Sequence, residues 1–163
     1  MKEYKPITIA GYTFTPIKKD INGVYYLLDG YLEKSKFGNN NNYAESDIRR
    51  MLNKSELAKI LNEEYWDRLV PITTDLLSLD GLDDFGKVEG NILAIPTLDL
   101  YRECRKNIPS IDTWWWLATP NSTPSGYGSD YVRCVNSYGV VDYRWCGYCK
   151  AVRAFFILES YCI

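Results

Sequence analysis

Two hard apolar blocks bracket the C-terminal part of this chain, and any fold it adopts has to bury both. The first runs Thr113-Trp114-Trp115-Trp116-Leu117-Ala118-Thr119-Pro120, the second Ala151-Val152-Arg153-Ala154-Phe155-Phe156-Ile157-Leu158. The bulk of Trp114, Trp115 and Trp116 suits burial beneath a surface better than display on one. Between the blocks lies a polar, aromatic run with Tyr127, Tyr131, Arg133, Asn136, Tyr138, Asp142, Tyr143, Arg144, Trp145 and Tyr148. Tyr and Trp offer contact area at low entropy cost, and Ser, Asn and Gly offer adaptable hydrogen bonds. Buried anchors around such a middle predict recognition rather than catalysis.

At 163 residues the chain is long enough for one domain with its own core. A net charge of −2 with interspersed signs gives no electrostatic footprint for nucleic acid or an anionic membrane. The sequence contains no His, which removes the commonest acid/base group and the usual zinc and iron ligands. We therefore expect no cofactor, no metal and no enzymatic activity. No apolar leader region follows Met1 and no run reaches transmembrane length, so the expectation is synthesis in the cytoplasm without ordinary export. Five Cys (104, 134, 146, 149 and 162) do not make a disulfide framework in that setting.

The N-terminal region alternates through Ile7-Thr8-Ile9-Ala10-Gly11-Tyr12-Thr13-Phe14, and Asn22-Gly23 marks a tight turn. The tract Asn39–Asn42 reads as a solvated polar loop. Ile48, Met51 and Leu52 predict a helix starting near Ser46, and Leu57, Ile60 and Leu61 a second over 55–65. Residues 71–90 read as turns. Within them Asp80-Gly81-Leu82-Asp83-Asp84 lacks the spacing and bidentate Glu of a calcium loop and reads as an acidic surface loop. Thr97 caps a short helix through Cys104, with Leu100, Tyr101 and Cys104 inward. Beyond Trp114 the pattern turns to hairpins with Tyr138-Gly139 as a turn, giving an α+β order and an N-terminal strand paired with 155–158.

One motif points elsewhere. Trp145-Cys146-Gly147-Tyr148-Cys149-Lys150 matches a thioredoxin-type pattern, and a thiol–disulfide oxidoreductase using Cys146 and Cys149 is the alternative reading. That chemistry requires the first Cys at a helix N-terminus, where the dipole lowers its pKa, with ample chain beyond. The residues after Lys150 form a β-branched and aromatic strand instead, so both thiols are expected on a loop or strand.

Five stretches together carry a resemblance: Ser46-x-Ile48-Arg49-x-x-Leu52-Asn53, Asp75-Leu76-Leu77-Ser78, Ile95-Pro96-Thr97-Leu98-Asp99-Leu100-Tyr101-Arg102, Trp114 to Pro120, and Val152-Arg153. Over residues 43–158 the chain resembles a DUF6273-type domain, and more narrowly the variable proteins of diversity-generating retroelements in gut phages and bacteria. The resemblance implies a C-type lectin fold over 1–163, with two helices, small antiparallel sheets and a β-rich variable region at about 114–158. It departs at Ala151-Val152-Arg153-Ala154, where the family usually shows Gly-Val-Arg-Pro. It further implies diversification at adenines of Asn-type codons, which reaches Tyr, Ser, Cys, Asp, Gly, Arg, Val and Asn but not Lys, Glu, Gln, Met or Trp. From Tyr127 to Cys149 only Trp145 falls outside that set, and such a window can produce the thioredoxin-like hexapeptide by chance.

The expected function is a ligand-binding display module for a protein or glycan on a target cell, as a phage tail or other surface-displayed component. The expected contact residues are Tyr131, Arg133, Asn136, Asp142, Tyr143, Arg144, Trp145 and Tyr148. Tyr131, Arg133, Asp142, Tyr143, Arg144 and Tyr148 are expected to be substantially exposed.

Overall fold

The computed structural model describes residues 3–160. Along the chain, strands β1 (Ile7–Ile9), β2 (Tyr12–Asp20), β3 (Gly23–Leu28) and β4 (Lys34–Lys36) precede helices α1 (Asp47–Lys54) and α2 (Glu56–Tyr65). Strands β5 (Leu69–Val70), β6 (Ile72–Asp75) and β7 (Lys87–Asn91), then helix α3 (Leu98–Cys104), follow. The C-terminal part holds β8 (Trp115–Pro120), β9 (Tyr131–Val135), β10 (Val141–Trp145), β11 (Cys149–Ala151) and β12 (Phe155–Leu158). The architecture is α+β, with three α-helices among the described residues rather than two.

Each helix starts at a hydroxyl cap, the local signal that sets its first residue. Ser46, Ser55 and Thr97 accept hydrogen bonds from the backbone N–H groups of Arg49, Ala58 and Leu100 at 3.0–3.1 Å. Ser55 closes α1 and caps α2 at once, so the two helices run on without a linker.

The first sheet has the order β1-β2-β3-β12-β5. Its closing strand pairs Phe155 with Leu27 and Leu158 with Val24, so β12 docks on the third strand of the N-terminal meander, two strands in from β1. Gly23 is required there. Its φ is +139°, and a Cβ would lie 2.2 Å from the carbonyl oxygen of Leu158. The second sheet has the order β10-β9-β8-β11-β4. It is not wholly antiparallel, because β11 runs parallel to β8 with Ala151 opposite Trp115. Residues 71–90 hold a β6–β7 hairpin, which turn-rich composition concealed.

Both apolar blocks are sunk in the core except at the start of the first. There Thr113 and Trp114 are half-buried, and Trp114 lies beneath the cations of Arg144 and Lys150 rather than in the core. Every residue of β8 and β12 is buried, and Trp116 donates from Nε1 to the Ser35 carbonyl at 2.9 Å. Phe14 and Tyr26 pack on Phe156 with ring centroids at 4.9 and 5.5 Å. Arg153 is 0% exposed, and its guanidinium lies over Trp115. It donates to the carbonyls of Leu28, Asp29 and Pro109 at 2.8, 3.2 and 2.6 Å, a set that binds the closing segment to the first sheet. Burial pushes its pKa down to about 10. The altered residues flanking Val152-Arg153 leave β11 and β12 in regular register. No helix among the described residues is long and apolar enough to cross a membrane.

Candidate functional site

The antiparallel register of β9 and β10 decides which side chains share a face. Tyr131 stands opposite Trp145, and Arg133 opposite Tyr143. These four therefore project from one side of the sheet, with β10 as its edge strand. Tyr131 and Tyr143 meet edge to face at 5.7 Å, and the Arg133 guanidinium lies 5.7 Å from the Tyr143 ring centre. Trp145 meets Tyr148 edge to face at 5.6 Å across the β10–β11 turn. Of the eight expected contact residues, five thus form one aromatic and cationic surface.

The other three do not join it. Asp142 and Arg144 pair in register with Cys134 and Val132, whose side chains face the opposite side of the sheet. There Arg144 binds Asp142 at 3.0 Å and stacks on Trp114 at 4.3 Å, with Lys150 over the same ring at 4.5 Å. Burial, with the Arg144 charge nearby, holds the Lys150 ammonium below its usual range. Asn136 uses its carboxamide oxygen to accept from the N–H groups of Tyr138 and Val140, which shapes the turn to Gly139. Tyr101 of α3 donates to the Gly139 carbonyl at 2.6 Å and moors that turn. The expectation of substantial exposure holds for Tyr131, Tyr143 and Tyr148. It fails for Arg133, Asp142 and Arg144, which are half-buried: the two arginines lie along the rings of Tyr143 and Trp114, and Asp142 is paired with Arg144.

The long β8–β9 connection completes the surface, and two segments read as plain solvated loops hold it in place. Asn41 is 1% exposed, and its Nδ2 donates to the carbonyls of Ser122 and Tyr131 at 2.9 Å each. Its backbone N–H donates to the Ser129 carbonyl at 2.8 Å. Ser122 Oγ donates to Asp80 at 2.7 Å, while Ser125 donates to Asp84 from backbone and hydroxyl at 2.9 and 2.6 Å. Hydrogen bonds from Ser78 and Ser122 hold the Asp80 carboxyl below its ordinary range, and those from Ser125 do the same for Asp84. The 80–84 segment is thus a brace, not a bare acidic loop. Among the described residues no cluster of Cys, Asp and Glu has the arrangement of a metal site.

Comparison of the chain with family models, with curated proteins and with solved structures returns no match. The site must therefore be read from its own chemistry.

Sequence reasoning missed two residues of that site. Tyr127, 93% exposed, and Asn121 line a cavity of about 260 Å³ together with Ser122, Gly128, Tyr131 and Tyr143. Arg133 Nη1 donates to Asn121 Oδ1 at 2.9 Å. Tyr127 lay within the polar run as one tyrosine among many. Asn121, just after Pro120, carried no periodic signal.

The thiols lie on strand and turn. Cys146 follows β10 with its backbone N–H on the Asp130 carbonyl, and it is buried rather than displayed; Cys149 is exposed. No helix starts at either one. Burial, and then the charge of Asp130, raise the Cys146 thiol above its ordinary range, opposite to what a reactive thiolate needs. Burial pushes Cys134 and Cys104 up to about 11.

Proposed function

We propose that the chain is a ligand-binding display module of C-type lectin fold, whose variable C-terminal surface recognises a protein or glycan receptor on a target cell. The observation that carries this reading is the sorting of one sheet. Trp115, Trp116, Leu117 and Ala118 of β8 are buried, while Tyr131, Arg133, Tyr143 and Trp145 of the adjoining strands stand on an outer face. A rigid, aromatic-rich surface over a packed scaffold is suited to recognition, since it binds without ordering loose side chains. The resemblance to retroelement variable proteins adds the source of variability and the setting, a phage tail or another surface-displayed assembly. Support for the fold comes from the β3–β12 pairing, the consecutive α1 and α2, and the second sheet with its long connection.

The test has two arms. Sequencing the gene's neighbourhood should find a near-copy of the codons for 114–158 beside a reverse transcriptase, differing at adenines and sparing the codons of Trp115 to Leu117. Labelled protein should adhere to a subset of a bacterial panel, and the Tyr131→Ala/Tyr143→Ala double variant should not. Absence of a second copy removes diversification, and adhesion indifferent to the double variant removes the display face.

A further inference from the structure

Arg133 carries a charge that no carboxylate among the described residues balances. None of them lies within ion-pairing distance of it, whereas Arg144 and Arg50 each have one and Lys18 has two. Its Nε is sealed from solvent with no acceptor, and Nη1 is engaged on a neutral carboxamide. Nη2, without a hydrogen-bond partner among the described residues, is the nitrogen left for a ligand. A half-buried guanidinium in that state is poorly solvated and poorly paired, so an incoming anion gains more there than at an exposed arginine. Arg133 is not itself a wall of the 260 Å³ cavity but stands at its edge, touching two of its walls, Asn121 and Tyr143. That cavity has three phenol rings, a carboxamide, a hydroxyl and a glycine, and no aliphatic side chain. It is smaller than pockets for drug-sized ligands, which begin near 300 Å³. The amide, hydroxyl and phenol groups on that lining favour a hydroxylated ligand, which can pair with them, over an apolar anchor, which would leave them unpaired. Flat rings beside fixed polar groups suit the C–H face of a pyranose, with its hydroxyls on the amide and its acid on the arginine.

We propose that this cavity binds a carboxylated sugar, of uronate or sialate type, with the carboxylate on Arg133 and the ring between Tyr127, Tyr131 and Tyr143. The assignment rests on the display reading and narrows its ligand from receptor to acidic glycan. The site works without a metal, because the arginine supplies the positive charge.

Titrating the full chain with methyl glucuronide, methyl glucoside and a blocked glutamate peptide, by calorimetry and by amide NMR, tests it. The glucuronide should bind about tenfold more tightly than the glucoside, the weight of one charge-assisted bond. It should shift the amides of Tyr131 and Tyr143 and weaken as salt rises. Arg133→Gln should bring the glucuronide down to the glucoside, and Tyr127→Ala, which leaves the core untouched, should weaken both sugars. Equal binding of the two sugars, glucuronide binding unaffected by either variant, or a peptide that binds as well as the glucuronide overturns the assignment. If no sugar binds while bacterial adhesion still depends on Tyr131 and Tyr143, the acidic-glycan assignment falls and the display reading stands. If adhesion is also indifferent, both fall.

Discussion

Asn41 offers the sharpest test of how the surface is held, because a single buried carboxamide joins a loop before α1 to the loop behind the candidate site. Replacing it with Ala removes two neutral hydrogen bonds of 2.9 Å, each worth about 1 kcal/mol. Tyr131 O keeps a second donor, the Asn121 N–H at 2.9 Å, so only Ser122 O is left without a partner, at about 1–3 kcal/mol. Against this, the substitution deletes Asn41 Oδ1, itself buried with no partner, which recovers a similar amount. The two orphan contributions offset each other and the expected loss is about 2 kcal/mol, or about 4–8 °C in melting temperature. Asn41→Asp has nearly the same shape and is expected to lose more at neutral pH, because a carboxylate has no proton for either carbonyl. The site raises that carboxyl's pKa in the folded state, so its deficit relative to wild type should shrink as pH falls. Urea melts of the three proteins at pH 7 and pH 5 measure both effects. A loss under about 0.5 kcal/mol for Asn41→Ala, the size of an ordinary surface change, would refute the tether.

Three further outcomes are expected. Asp80 and Asp84 have lowered pKa values in the fold, so their bracing is complete above the unfolded carboxylate range near 4 and is lost as pH falls through the folded values. Amide exchange at Ser125 and Tyr127 should therefore rise, relative to the core, only below about pH 4. Thiol alkylation mapped by peptide mass spectrometry should modify Cys149 well before Cys104, Cys134 and Cys146, and insulin reduction should show no turnover. Equal rates at Cys146 and Cys149, or turnover lost in Cys146→Ser, would contradict the burial and the raised thiol pKa described above. Scaffold and surface should respond oppositely to truncation: Trp115→Ala and Phe156→Ala should lose about 3–5 kcal/mol, and Tyr127→Ala and Tyr148→Ala no more than about 0.5 kcal/mol, in thermal melts.

What the sequence revealed and what it hid follow from the range of the forces involved. Helix starts at Ser46, Ser55 and Thr97 were legible because a cap is a bond between residues three apart. The burial of Trp115 to Leu117 and of Phe155 to Leu158 was legible because a run of bulky apolar side chains has only one good environment. The roles of Asn41, Asp80 and Asp84 were not, since their partners lie 41 to 90 positions away and a polar side chain signals equally for water or for a distant carbonyl. The division of the candidate site was hidden for a different reason. In β10 the pattern Val141-Asp142-Tyr143-Arg144-Trp145 is polar or amphipathic on both sides, because an edge strand with a charged, ring-covered inner side does not show the usual apolar alternation. Only the pairing of Tyr143 with Arg133, and of Asp142 with Cys134, separates the two faces. The same register explains the number of residues brought together: a strand of five can offer at most three side chains to one face, and Val141, Tyr143 and Trp145 are those three. The outward surface is therefore assembled from two strands and a braced loop. Its breadth depends on Asn41 and the two aspartates as much as on the tyrosines it presents.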